Sequence, residues 1–578
     1  MASRLFAGKG SPLNKEKSHK VLVIGLDGGT FSVLQPLIEK EKLPNLKKIQ
    51  EEGVSGDLLS TIPPITTPAW SSFMTGTNPG KHGLFYFMGT DKTTGREVPI
   101  NSQMRSGATI WRLLSESGKK VLALNCPTTY PPEEVNGAMI SCFLTPGGKR
   151  DFIYPQELVE EIEEKFGPYP LYLKTTIFSA NLSEKNVRRL LEELRDELCY
   201  KFNVAHYLLD RIPADLLMIH VWGTDRIQHE LWNLFDQSHP NYNRSLGGKF
   251  EEDIFHYFSL VDEEIGRLWE RFGKEYPIII LSDHGFGPVH KWIDLNCFLL
   301  KEGFIKIKSN PISQLKYLAW RKGLTYLFLF NAFGRGLLKL GFNPPEKPPI
   351  EGINDIRSGK RELLLSSNDV DWARTMAYSK FGIGTIQINL KGREKNGAVE
   401  PGEQYEHVRR EIVKRLKRLR DPETGEAIEG DIFLKEEIYH GEHMDDAPDV
   451  VYMAKGMYLA GAFYGFTSHR PIAETNVWLG NHRINGIFFA KGDGIEKGKR
   501  IAGARIIDIA PTILYLMEEK IPLSMDGKVI DEAFTQQFLS ANQKEFCEGP
   551  SEKGHKDSSF SPADEEDVVK RLKGLGYL

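Results

Sequence analysis

Cysteine is scarce in this chain: Cys126, Cys142, Cys199, Cys297 and Cys547 are the only five in 578 residues. Their number is odd, they lie far apart and none forms a CxxC pair, which argues against a disulfide framework and against a thiolate zinc site. No run of 18 uncharged apolar residues occurs, so no membrane-spanning helix is expected. The N-terminal stretch is polar and basic, and the first apolar run, VLVIGL at 21–26, is too short for a signal-peptide core and stops at Asp27. These features read as a reducing, cytoplasmic setting. Charge of one sign is lacking too: 74 basic against 78 acidic residues leave a formal net charge of −4, which speaks against a polyanion-coating protein, and no nucleic-acid binding is expected. Internal repeats are absent.

What is present is an ordinary globular composition, 40% hydrophobic and 26% charged, long enough for one large core with insertions or for two or three domains. VLVIGL followed by DGG reads as a buried strand ending in a tight turn. KVLALNCP (120–127), ADLLMIHVWG (214–223) and YPIIILSDHG (276–285) are further buried-strand candidates, each preceded by a helical pattern. Alternating helices and buried strands predict an α/β fold with a mostly parallel central sheet and helices on both faces. In such sheets functional groups gather beyond the carboxyl ends of the strands, where Asp27, Asp225, Asp283 and His284 fall.

Along the chain, residues 1–19 read as a flexible tail, 20–302 as the first part of the core and 441–534 as its second part. Between them lie a helical insertion (303–366) and a smaller α+β subdomain (367–440), and residues 535–578 read as a polar, mobile tail ending in an amphipathic helix that docks or floats. The insertion has no acidic residue from Gly303 to Pro345, and its lysines and arginines are interleaved with apolar runs. It reads either as a lid drawing an anionic substrate toward the site or as a peripheral contact with an anionic membrane surface. The glycines Gly323, Gly334 and Gly336 cut it into short helices and favour the lid.

The chemistry-bearing residues form one constellation. Asp27 ends the first strand; Thr66 and Thr67 stand before Pro68 in ITTPAW; Asp225 and His229 are four apart in DRIQH and share a helical face; Asp283 and His284 are adjacent at a strand end. His482 lies in GNHRING, read as a polar turn before the apolar strand GIFFAKG, with His469 in FTSHRP as its rival. Three carboxylates and three imidazoles suit zinc or manganese. Individually each has a plainer reading: a turn aspartate, turn threonines, a solvated i,i+4 pair. Lys81 and Arg226 are candidate phosphate contacts or surface residues. His82 reads as a loop cap, His440 and His443 as loop residues, and Trp70, Phe85 and Phe87 as core aromatics.

The segment TTPAWSSFMTG…HG resembles the nucleophile segment of the alkaline phosphatase superfamily, in its type I phosphodiesterase/nucleotide pyrophosphatase branch. There the nucleophilic threonine precedes proline at +2, Thr-Gly at +9 and +10, and His-Gly at +16 and +17. Thr66 meets these with Pro68, Thr75-Gly76 and His82-Gly83, whereas Thr67 meets none. The resemblance covers roughly 20–300 and 440–530, and extends to a prokaryotic group described as predicted AMP phosphatases. It implies an alkaline phosphatase-like core and two divalent metal ions, zinc in the first place and manganese as the alternative. One metal takes Asp225, His229 and His482; the other takes Asp27, Asp283 and His284, with Thr66 coordinated. It further implies a phosphoryl-threonine intermediate, with the Thr67 backbone N–H aiding a phosphate oxygen, and a small phosphorylated substrate such as a nucleotide. Departures exist: that branch usually has asparagine at +21, where this chain has Phe87, and the sulfatase branch needs Cys or Ser where Thr66 stands. The readings that follow are a phosphohydrolase, a phosphotransferase moving a head group to a lipid or glycan, and an inactive binding scaffold. Oligomeric state is not legible.

Overall fold

The computed structural model describes residues 19–91, 94–177, 182–325, 364–380, 382–462, 466, 468–475, 479–549, 560–575 and 577. Its centre is a nine-stranded sheet. The strands Ile278–Leu281, Val21–Leu26, Leu216–Val221, Val121–Leu124 and Gly137–Ile140 lie side by side and parallel. All four apolar runs read as buried strands are among them. Asn485–Lys491 enters antiparallel between Ile278–Leu281 and Val54–Leu59; Lys499–Arg505 and Ile153–Tyr154 form the two edges.

Continuous apolar strands require cover on both faces, and the first strand has it. Leu22, Ile24 and Leu26 enter one core with residues of the helices Phe31–Glu39, Pro44–Glu52, Glu184–Arg211 and Arg244–Phe272. Val21 and Val23 enter the other, with residues of Thr66–Thr75, Ile110–Glu116 and Ile509–Leu516. Between these alternating residues Gly25 has a specific task. A Cβ there would lie 2.4 Å from Cη2 of Trp70 and 2.9 Å from Cε of Met218, so the missing side chain is the space in which the indole sits.

The smaller unit differs in extent from the sequence reading. Its sheet orders Ala377–Tyr378, Thr385–Ile388, Val450–Ala454 and Gly430–Leu434, so it runs past residue 440, because Val450–Ala454 pairs antiparallel with Gly430–Leu434 over five residues. Lys291–Asp294 also leaves the main core to pair with Tyr458–Gly461 and Ile472–Glu474. The basic helix Glu403–Leu416 covers the small sheet with Val408, Ile412 and Leu416. Of the 303–345 insertion, residues 303–325 are described. They contain the helix Pro311–Arg321, anchored by Trp320, whose indole N–H donates to the carbonyls of Phe466 and Ser468. Residues 326–345 lie outside the described residues, as do residues 1–18 of the expected tail. No helix among the described residues is long and apolar enough to cross a membrane.

Within the polar stretch after 534, the described residues 536–547 and 562–575 include regular elements. Gln536–Ala541 is helical, with the Phe538 ring stacked 5.3 Å from that of Phe534, and Phe546–Cys547 pairs with Ile521–Pro522. The helix Pro562–Leu575 docks, burying Val568 and Leu572 in a cluster with Phe87, Phe143 and Trp222.

Gly25→Ala puts a methyl group into the indole's space, so it should lower unfolding free energy by about 1–3 kcal/mol, the usual cost of overpacking. Denaturant unfolding against the parent protein measures this; an unchanged midpoint would mean that Trp70 is free to move.

Candidate metal centre

The three parallel strands Ile278–Leu281, Val21–Leu26 and Leu216–Val221 are sheet neighbours, so their carboxyl ends lie side by side. Asp27 follows one directly, Asp283 stands two residues beyond another, and Asp225 sits in the first turn of the helix Gly223–Phe235 that follows the third. That helix also carries His229 one turn later on the same face. His482 arrives from far along the chain. It lies in a short strand, Gly480–Arg483, rather than the polar turn expected, because Gly480–Arg483 pairs antiparallel with Gly285–Pro288, the strand that starts directly after His284. Phe286 is its register partner, and the His284 and His482 rings stack with centroids 3.6 Å apart. His469 instead lies against Gly323.

The six side chains form two overlapping groups: Asp27, Asp283 and His284 offer ligand atoms within 4.8 Å of one another, and so do Asp225, His284 and His482. His229 joins the second through its Nε2, which lies 2.9 Å from Nε2 of His482 and 3.4 Å from Oδ1 of Asp225. His284 thus borders both groups. All six are buried.

Each ligand candidate is fixed on one side and bare on the other. Oδ2 of Asp27 accepts from the Trp70 indole (3.2 Å) and from Nε2 of His220 (2.8 Å). Oδ1 of Asp283 accepts from the Gly28 amide (3.1 Å), and Oδ2 of Asp225 accepts from the Tyr577 hydroxyl (2.9 Å). The opposite oxygens, Oδ1 of Asp27, Oδ1 of Asp225 and Oδ2 of Asp283, are buried without a hydrogen-bond partner. The imidazoles repeat the pattern. Nδ1 of His229, His284 and His482 faces the carbonyl of Gly480 (3.1 Å), Gly285 (3.1 Å) and Pro64 (2.9 Å) respectively. A carbonyl only accepts, so each Nδ1 carries a proton, and Nε2 is the nitrogen that faces the centre and can offer a lone pair to a cation. Outward nitrogens held this way are the usual support of metal-ligating histidines.

The electrostatics point the same way. Burial, with the neighbouring Asp225, pushes the Asp27 carboxyl well above its ordinary range, and burial, with Asp27, does the same to Asp283. For Asp225 burial is outweighed by the facing imidazoles of His229 and His482, and its carboxyl is held well below that range. Burial pushes His284 and His482 down. Buried carboxylate oxygens without partners are costly unless paired. Three of them turned toward three imidazole lone pairs fit divalent cations of the zinc or manganese type.

Thr66 opens the ten-residue helix Thr66–Thr75, wholly buried, with its Oγ1 3.4 Å from Nε2 of His284. The first-turn amides of a helix have no partner within it, so those of Thr66 and Thr67 are available to an anion. Thr67 Oγ1 is buried without a partner. Lys81 is turned elsewhere: its ammonium bonds Asp526 (2.6 Å) and the Ser524 carbonyl (2.9 Å). Arg226 is fully buried, pairs with Glu230 and donates to the Leu575 carbonyl at 3.4 Å. His82 holds its loop as expected, accepting from the Leu84 amide at 3.2 Å and donating to Ser72 Oγ at 3.0 Å. His440 and His443 bond Asp526 and Ser106, both loop contacts.

Sequence reasoning missed three supporting residues. His220 is the lone polar residue of LLMIHV, an anomaly that pointed to a buried partner; burial takes its pKa down to about 3, and its Nε2 shares a hydrogen bond with Oδ2 of Asp27. Trp70 packs in the core as read, but its N–H also holds Asp27. Tyr577 lies about 350 residues from Asp225 in sequence, and no local pattern could pair them.

The chain belongs to the type I phosphodiesterase/nucleotide pyrophosphatase family, whose pattern matches residues 21–465, well over half its length. It is therefore a hydrolase of phosphoric ester bonds. None of the curated protein sequences matches it. Among solved structures it is similar to phosphonoacetate hydrolase from Sinorhizobium meliloti with bound phosphonoformate, at 14% identity, TM-score 0.51, covering 86% of this chain and 94% of that one. The shared feature there is the fold. Murine ectonucleotide pyrophosphatase/phosphodiesterase 5, an inactive variant with AMP, aligns at 14% identity and TM-score 0.47 over 89% of this chain and 100% of its own.

Because burial raises Asp27 and Asp283 in the metal-free centre, cations entering it compete with protons there. Zinc or manganese affinity should therefore rise with pH, by about tenfold per unit for each proton displaced, and level off once both have left. Calorimetric titration of chelator-treated protein across pH checks this; affinity independent of pH would contradict it.

Proposed function

We propose that this chain is a two-metal phosphohydrolase in which Thr66 is the nucleophile, acting on a small phosphodiester or phosphomonoester such as a nucleotide. The observation that carries the reading is the convergence of three bare carboxylate oxygens and three imidazole Nε2 atoms beside Thr66 Oγ1. Asp225, His229 and His482 would hold one divalent ion, and Asp27, Asp283 and His284 the other, with Thr66 beside the second. Bound there, two cations lower the pKa of a nearby hydroxyl and neutralise charge on a phosphoryl group.

The chain's own contribution is placement. Thr66 Oγ1 attacks phosphorus and loses its proton to solvent; the ester oxygen opposite leaves and takes up a proton. Water then cleaves the phosphoryl-threonine and frees the hydroxyl. The first-turn amides of the Thr66–Thr75 helix, Thr67 among them, donate to the non-bridging oxygens. Phe87 stands where the resembling branch has an asparagine, so those backbone donors carry more of the oxygen binding here. The reducing, cytoplasmic setting read from the cysteines fits a metabolite substrate.

One observation supports the transferase alternative. On the helix Pro311–Arg321, Ile312, Leu315 and Leu318 are 62%, 69% and 52% exposed, with Arg321 and Lys322 at its end. An apolar row bordered by cations suits an anionic membrane surface, where a lipid hydroxyl would take the place of water.

Bis-p-nitrophenyl phosphate, p-nitrophenyl phosphate and AMP, each with zinc or manganese, should reveal the activity. Thr66→Ala should lower kcat by at least about 10³-fold while leaving metal content unchanged. Full turnover by that variant would sink the nucleophile assignment. In the presence of anionic vesicles, phosphoryl or head-group transfer exceeding hydrolysis would replace the hydrolase reading by the transferase one.

A further inference from the structure

Of the three carboxylates in the centre, two are held from within the main core: Asp27 by Trp70 and His220, Asp283 by the amide of Gly28. Asp225 is held from outside it. The donor to its Oδ2 is the hydroxyl of Tyr577, two residues beyond the helix Pro562–Leu575. Oδ1 of the same carboxylate is the bare oxygen that faces Nε2 of His229 and of His482, at 3.4 and 3.5 Å.

The contact is built rather than incidental. Tyr577 is buried, and its ring stacks on that of Phe87 with centroids 4.4 Å apart. Its carbonyl accepts from the Tyr86 hydroxyl. The helix before it is clamped at several points: Arg571 donates to the carbonyls of Phe143 and Thr145, Asp567 accepts from the Gly147 amide at 2.7 Å, and Arg226 reaches the Leu575 carbonyl. Val568 and Leu572 are fully buried beneath it. A carboxylate with two equivalent oxygens can swing about its Cβ–Cγ bond; a donor fixed on one oxygen stops the swing and aims the other. Arg226, next to Asp225, spends its charge on Glu230 and the docked segment, so it tethers the tail at the same place.

We propose that Tyr577 is a positioning residue of the metal centre, its hydroxyl setting the Asp225 carboxylate so that Oδ1 faces His229 and His482, and that docking of the 562–577 segment completes the centre. Phe87 belongs to the same device. Its ring gives Tyr577 a stacking surface, which accounts for an aromatic residue at that position. The proposal rests on the two-metal reading of the site, but its own measurement is metal binding rather than turnover.

Titration of metal-free protein with zinc, followed by calorimetry, should resolve two binding steps in the parent. Tyr577→Phe keeps the ring and removes only the hydroxyl. It should weaken one step by about 10–100-fold, leave the other unchanged, and lower kcat with little effect on KM. The melting temperature of the metal-free variant should stay near that of the parent, separating this effect from general loosening. A chain ending at Leu575 should show at least the same loss in the same step. Unchanged affinities in Tyr577→Phe overturn the proposal, as does equal weakening of both steps. A loss seen only on truncation also overturns it, since the hydroxyl would then not be the agent. Parent protein that binds two metals without cleaving any phosphoester would sink the functional reading and leave Tyr577 standing. Unchanged metal steps in Tyr577→Phe beside an active parent would do the reverse.

Discussion

The structure turns on the burial of three carboxylates, Asp27, Asp225 and Asp283, at the carboxyl edge of three neighbouring parallel strands. Left to themselves, buried acids in contact would take up protons or let in water. Here each is bonded on one oxygen and bare on the other, and each facing imidazole is bonded on Nδ1 and bare on Nε2. An arrangement so divided between held and unheld atoms is suited to cations in its centre. The surrounding fold can be understood as the scaffold that holds the outer atoms still.

That scaffold uses features which have no other evident reason. Gly25 leaves room for the Trp70 indole, which reaches Asp27; His220 stands in an otherwise apolar strand to bond the same carboxylate. Asn485–Lys491 breaks the parallel run of the sheet. The short strand just before it, Gly480–Arg483, carries His482 and pairs beside the residues after His284. A strand entering the other way would carry that imidazole to the opposite edge of the sheet. The topology and the ligand set are therefore one constraint seen at two scales.

Much of this was legible in the residues themselves. Apolar runs ending in Asp27 and Asp283 gave strand ends, and the four-residue spacing of Asp225 and His229 gave one helical face; the preference for Thr66 over Thr67 rested on the resemblance, through the offsets to Pro68, Gly76 and Gly83. What was not legible depends on contacts far apart in sequence. GNHRING is polar enough to be a turn, and becomes a strand only because Gly285–Pro288 lies open beside it. The boundary drawn at 440 fell short because it cuts the pairing of Val450–Ala454 with Gly430–Leu434, which only the fold makes plain. Residues 536–541 look too polar to form an element, yet the stacking of Phe538 on Phe534 holds them, and the docking of the terminal helix is fixed by contacts such as Tyr577 with Phe87. Lys81 and Arg226 stood open between phosphate contact and surface residue, because position near a site is easy to read and the direction of a long side chain is not. Asp526 and Glu230 decide those directions.

The place of Phe87 gathers these strands of argument. An asparagine there would offer an amide to a phosphate oxygen, and its replacement by an aromatic ring looks at first like a loss of binding. In this chain the ring is the bed on which Tyr577 lies, and Tyr577 in turn holds a ligand candidate of the adjacent centre. On the proposed reading, a polar group at this position gives way to a ring that supports a hydroxyl bonded to the carboxylate beneath it. Since Asp225 sits in the first turn of its helix, where nothing else among the described residues bonds its Oδ2, the exchange shifts work from substrate recognition to the preparation of the centre. The docked segment is thereby joined to the candidate centre through one hydroxyl and one ring stack, so its fit and the aim of the Asp225 carboxylate are fixed by the same contacts.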